Sequence, residues 1–124
     1  MDKTTPKMHL DENVWKALLE IGDDDGREFL NGLIDLFLKT APPVVSELKV
    51  AIDKSDAEST RQLAHRLRGY SANLGAWELN GICAELEQSA KLGAMSGARA
   101  LFTNLEKEFD VVNAVLHTER NRSK

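Results

Sequence analysis

Hydrophobic residues in this chain recur at intervals of three and four, and strict alternation is scarce. That spacing winds apolar side chains onto one stripe of an α-helix. The first such segment opens at Leu10-Asp11: Asp11 has the short acceptor side chain of an N-cap, and Leu10 is placed to pack on Trp15 as a hydrophobic staple. Val14, Trp15, Leu18 and Leu19 supply its apolar face, and Gly22 with Asp23, Asp24 and Asp25 end it. A second helix is predicted over residues 26–39 from the stripe Phe29, Leu30, Leu33, Ile34, Phe37 and Leu38. Pro42 and Pro43 are expected to break or kink it, since proline lacks the N–H that a helix interior needs. The helix then resumes through Val44, Val45, Leu48, Ala51 and Ile52, with Pro43 in a new first turn.

No proline follows Val44, which permits long helices. Asp56 is the next N-cap, with a helix to about residue 74 and Gly75 as its stop. A helix over 77–92 turns Leu79, Ile82, Cys83, Leu86 and Ala90 inward and stops at Gly93. The last, over 95–117, uses Leu101, Leu105, Phe109, Val112 and Leu116. Short connections place consecutive helices antiparallel. The expected fold is therefore all-α: an antiparallel up-down four-helix bundle with a short additional N-terminal helix. Residues 1–8 are expected to be a flexible tail, 9–118 the helical domain and 119–124 a polar tail.

Composition narrows the function classes. A chain of 124 residues, 42% hydrophobic and 29% charged, suits one domain with its own core. A net charge of −4 argues against nonspecific nucleic-acid binding, which basic surfaces drive. Cys83 is the only cysteine, so an intrachain disulfide and a cysteine-cluster zinc site are excluded, and its helical spacing reads as an inert core thiol. No apolar run approaches the roughly 20 residues of a membrane span, and the first residues lack the apolar stretch of a secretory signal. The expectation is a cytoplasmic protein with no membrane contact. No phosphate-cradling G-x-x-x-x-G-K-[ST] or G-x-G-x-x-G run is present, so no kinase activity with ATP is expected. No H-E-x-x-H or carboxylate–histidine cluster marks a metal site, and His9 and His117 stand outside any motif.

One helix carries chemistry, the run from Arg61 to Leu74. At about 100° per residue, Leu63, Leu67, Tyr70 and Leu74 fall within roughly 40° of the side opposite His65. Arg61, Arg68, Gly69 and Ala72 share the outward side with His65. Glycine within a helix costs about 1 kcal/mol relative to alanine. A side chain at position 69 would lean back over His65, so glycine clears the approach to the imidazole. Between Ser59 and Trp77 there are three arginines and no acid, which predicts a local positive patch in an acidic chain. Arg61 and Arg66 are ascribed to general surface charge, Arg66 lying the farther round the helix from His65. The Arg68 guanidinium can hydrogen-bond phosphate through two donors. An exposed imidazole beside it is a nucleophile near neutral pH, able to accept a phosphoryl group on a ring nitrogen.

The run Ala64-His65-Arg66-Leu67-Arg68-Gly69-Tyr70-Ser71-Ala72-Asn73-Leu74-Gly75-Ala76, continued by Leu79, Cys83, Leu86 and Glu87, resembles the signature of histidine-containing phosphotransfer (HPt) domains. The resemblance extends over about residues 10–116, with its specific part in roughly 25 of them. It implies a helical bundle whose histidine carries phosphoryl groups between aspartates of receiver domains, those of response regulators or hybrid histidine kinases. On that pattern His65 is phosphorylated, Arg68 stabilises the phosphate where lysine is more usual, and Gly69 lets the receiver approach; Arg61 and Ala72, which share its face of the helix, are further docking candidates. Tyr70 replaces a commonly small residue and is expected to pack partly inward. Glu87 stands where some members have glutamine, and its charge, unfavourable beside phosphate, is expected to keep it out of the site. The resemblance implies no cofactor or small-molecule substrate on this chain, any Mg²⁺ belonging to the receiver. The expected function is that of a freestanding phosphorelay carrier. The alternative is a helical docking module that binds receivers or other partners without carrying phosphate.

Overall fold

A computed structural model describes residues 10–21 and 26–121. The expected tail at 1–8, the helix stop at 22–25 and the last three residues lie outside the described residues. Among the described residues five helices follow in order: α1 (Glu12–Ile21), α2 (Gly26–Asp53), α3 (Ala57–Asn73), α4 (Trp77–Lys91) and α5 (Ala98–Asn121). Among the described residues there is no strand.

The stripes meet in one core. Leu30, Ile34, Phe37 and Leu48 of α2 join Leu63 and Leu67 of α3, Leu79 and Leu86 of α4, and Leu105, Phe109 and Leu116 of α5. The Phe37 and Phe109 rings sit 5.9 Å apart in a tilted pair, the offset arrangement that aromatic quadrupoles favour. Side-chain pairs fix the helix directions. Arg99 at the start of α5 binds Asp53 at the end of α2 at 2.6 Å, and Arg120 at the end of α5 binds Asp35 near the start of α2 at 2.8 Å. The two helices therefore run antiparallel and close the four-helix bundle. α5 continues through Asn121, four residues past its expected end at 117. Those residues are tied down: the Glu119 carbonyl accepts from Arg27, and Arg120 is held by Asp35.

The prolines do not break the helix. α2 is one continuous helix with Pro42 and Pro43 inside it. An interior proline costs about 3 kcal/mol. Against that, each fully buried valine, leucine or isoleucine contributes roughly 1.5–3 kcal/mol. Val44, Val45, Leu48 and Ile52 are all buried on the face continuing from Ile34 and Phe37. Keeping that face in register outweighs two lost backbone hydrogen bonds, and the fixed φ of proline is itself helical.

The short α1 has a defined seat. Asp11 caps it, its Oδ1 accepting from the Asn13 N–H at 2.8 Å. The corner between α3 and α4 lies against this cap. The Asp11 N–H donates to the Gly75 carbonyl at 2.8 Å, the Trp15 indole N–H to the Leu74 carbonyl at 2.8 Å, and the Trp77 indole N–H to Asp11 Oδ2 at 2.8 Å. Gly75 has φ +71°, and a Cβ there would stand 2.8 Å from the Asp11 Cβ. Only glycine fits both the backbone and the space. This corner sets how α3 and α4 lie together, and the candidate site is built across those two helices.

Candidate functional site

α3 starts at its Asp56 cap, which accepts from the Ser59 N–H at 3.1 Å. Thr60, Leu63, Ala64, Leu67 and Ser71 are buried. With that face inward, His65 points out, and its side chain is 69% exposed. Tyr70 is half-buried against the core, as its wheel position requires. The α3–α4 register is held beneath the site by the Arg68 carbonyl, which accepts from Ser71 Oγ on α3 and from Asn80 Nδ2 on α4, each at 3.0 Å.

Glu87 of α4 is at the centre of the site, contrary to the expectation that its charge would exclude it. Its side chain is only 17% exposed. One carboxylate oxygen lies 3.0 Å from His65 Nδ1, and the other accepts from Arg68 Nη1 at 2.6 Å. The charge objection overlooked Arg68, which neutralises the carboxylate, and the ring, which gives it a second donor. Burial pushes the Glu87 carboxyl up, but the hydrogen bonds from Arg68 and His65 together outweigh burial and hold it below the ordinary carboxylate value. A carboxylate only accepts, so in the neutral ring the shared proton belongs on Nδ1. The lone pair is then on Nε2, the nitrogen farther from Glu87. Arg68 keeps further guanidinium donors for an anion arriving there.

The expected positive patch is a mosaic of paired charges. Arg61 is clamped by Glu58 through contacts of 2.6 and 3.2 Å, and Arg68 by Glu87; Arg66 is exposed. Glu58 lies just before the acid-free stretch and Glu87 on the next helix, so a count confined to the residues between Ser59 and Trp77 overstates the charge. Gly69 is exposed, and a Cβ there would meet nothing within 4 Å. Intramolecular packing therefore does not explain the glycine. Gly32 and Gly81 also sit in helices over open space. Gly69 is singled out by its place one turn from His65. Ala72 is half-buried farther along α3. Cys83 is fully buried, and desolvation, opposed by the nearby Arg68 charge, pushes its thiol up to about 12, which leaves it unreactive.

Sequence reasoning set Glu87 aside for its charge and missed Asn80. The position of Glu87 beside the inward-facing Leu86 and Cys83 was a usable signal. Asn80 gave none, because its partner is a backbone carbonyl brought opposite by the Gly75 corner. Among the described residues no cluster of histidine, cysteine and acidic side chains could hold a metal ion, and no helix is long and apolar enough to cross a membrane.

Comparison with known proteins bears on this arrangement. The family model described as the Hpt domain matches residues 32–115, from within α2 to within α5 and across the whole site. The multistep phosphorelay regulator 1 of Schizosaccharomyces pombe is 27% identical over 113 residues, which cover 86% of this chain. The chain spans only 38% of that protein's length. The crystal structure of histidine-containing phosphotransfer protein B (HptB) from Pseudomonas aeruginosa PAO1 superposes with a TM-score of 0.83 at 36% identity, covering 92% of this chain and 96% of that one.

Proposed function

The chain belongs to the Hpt domain family, and from that premise we propose that it is a phosphorelay intermediate of two-component signalling, with His65 as the residue that carries the phosphoryl group. The donor is an aspartyl phosphate on a receiver domain, and the acceptor is an aspartate of another receiver. The observation that carries this reading is the exposed ring whose inner nitrogen is engaged by Glu87 and whose outer nitrogen meets no partner among the described residues.

Transfer needs in-line placement and compensation of charge more than covalent machinery on the carrier. Nε2 attacks phosphorus, the N–P bond forms, and the aspartyl O–P bond breaks with its electron pair returning to the carboxylate. Onward transfer reverses these roles with a second receiver. Arg68 supplies donors to the phosphoryl oxygens, Gly69 leaves the approach open, and Arg61 and Ala72 border the docking face. The Mg²⁺ such transfer uses is expected on the receiver.

The test is incubation with a phosphorylated receiver. The expected result is an acid-labile, alkali-stable label on the wild-type chain and none on His65→Gln, which keeps the fold because the side chain it replaces lies in solvent. Equal labelling of His65→Gln overturns the assignment. A role limited to docking leaves both proteins unlabelled while the receiver still binds.

A further inference from the structure

The geometry points to Glu87 as a positioning residue that shortens the life of the phosphorylated histidine: it holds a proton on Nδ1 of phospho-His65 and so keeps the ring in the form that gives up its phosphoryl group. This rests on the phosphorelay reading above and adds a consequence of having a carboxylate, rather than an amide, at this position.

When Nε2 of the neutral ring attacks phosphorus it donates its electron pair, and the ring becomes a phosphoimidazolium still carrying hydrogen on Nδ1. In water that proton can leave, giving a neutral phospho-ring. Breaking the N–P bond from the neutral phospho-ring would expel an imidazolate anion, a poor leaving group. From the protonated ring the electron pair returns to Nε2, and the departing group is neutral imidazole. The phosphoryl group passes to an aspartate carboxylate, or to water, which then releases a proton. The protonated ring is therefore the transferring form in both cases.

His65 Nδ1 faces Glu87 Oε2 at 3.0 Å, and the carboxylate is largely withdrawn from solvent. An anion so placed favours the protonated ring, the more so where water screens less. The same negative charge opposes a dianionic phosphoryl group on the other side of the ring. Both effects favour departure. On α3, Arg68 shares the carboxylate and moderates it, Arg61 is paired to Glu58, and Arg66 is exposed. From α4 only Glu87 bonds the ring among the described residues, and the Cys83 thiol is buried and neutral. From α2, the other helix packed on α3, no ion pair or hydrogen bond reaches the ring among the described residues. Glutamine would fill the same space and accept the same Nδ1 hydrogen without the charge.

The experiment loads the full chain chemically with phosphoramidate, so that it does not depend on a receiver, and follows loss of phosphate from His65 by ³¹P NMR between pH 5 and 9. Glu87→Gln is expected to lengthen the half-life at pH 8 by about tenfold, a change in barrier of roughly 1.4 kcal/mol. The two proteins should converge toward pH 5, where solvent supplies the proton with or without the carboxylate. Arg68→Gln is expected to shorten the half-life. A general loosening of the site would not lengthen a lifetime, nor confine the change to alkaline pH. Equal half-lives for wild type and Glu87→Gln at pH 8, or a shorter one for the variant, overturn the inference. A Glu87-dependent lifetime in a protein that no phosphorylated receiver can load would instead keep this inference and overturn the phosphorelay reading.

Discussion

At the scale of single residues, the site depends on one carboxylate serving two donors. Glu87 takes the Nδ1 hydrogen of His65 and one N–H of Arg68, so the imidazole and the guanidinium are oriented by the same side chain. The outward placement of His65 was legible because leucines at helical spacing dictate which side of α3 is buried. The role of Glu87 was not, because a formal charge says nothing about its partners until another helix brings them within 3 Å. Gly69 separates stability from function. With open space beyond its Cβ position, Gly69→Gln is expected to stabilise α3 by about 0.5–1 kcal/mol. It is expected to slow transfer from a phosphorylated receiver by at least about tenfold, a barrier of roughly 1.4 kcal/mol. Thermal melts and transfer kinetics on the same preparation check both, and wild-type kinetics would show that the open space has no part in docking.

Among the elements, the corner between α3 and α4 does the most to place the site. Gly75 was readable as a helix stop, and its positive φ agrees. That α1 plugs this corner through Asp11, Trp15 and Trp77 was not readable, because the contacts join residues some sixty positions apart. Gly75→Ala must adopt a left-handed backbone, costing about 1–2 kcal/mol, and also displace Asp11. A lowered urea midpoint is expected, with weaker transfer as Asn80 and Glu87 lose register with α3. An unchanged midpoint would show that the corner tolerates a side chain. Trp15→Phe removes the indole donor to the Leu74 carbonyl and should destabilise by about 1 kcal/mol, with faster hydrogen exchange concentrated in α1. Uniform exchange along the chain would contradict that local role. The misread proline pair teaches the converse lesson. Local backbone preference predicted a break or a kink in α2; there is no break, and a continuous buried face runs past the prolines.

For the molecule as a whole, the up-down bundle follows from periodicity and short connections, and the α2–α5 ion pairs close it as expected. What sequence could not supply was the pairing of charges between helices, which turns an apparently basic surface into a compensated one. The carboxyls of Asp11, Asp56, Glu58 and Glu87 are all held below their ordinary values; in the first three, hydrogen bonds to them are the main cause. A depressed carboxyl adds stability above its unfolded value, about 4, and loses it as pH falls through the lower folded value. Urea midpoints should therefore begin to fall near pH 4 and continue downward with further acid. A midpoint that rises on acidification over that range would contradict the assignment of these acceptors.

The most direct measurement of the central claim is the position of the phosphoryl group after loading by a receiver. ³¹P and ¹⁵N NMR of the isolated phosphoprotein should show one phosphorus bonded to Nε2 of His65, with hydrogen retained on Nδ1. Phosphorus on Nδ1, or on any residue other than His65, would contradict the site described here.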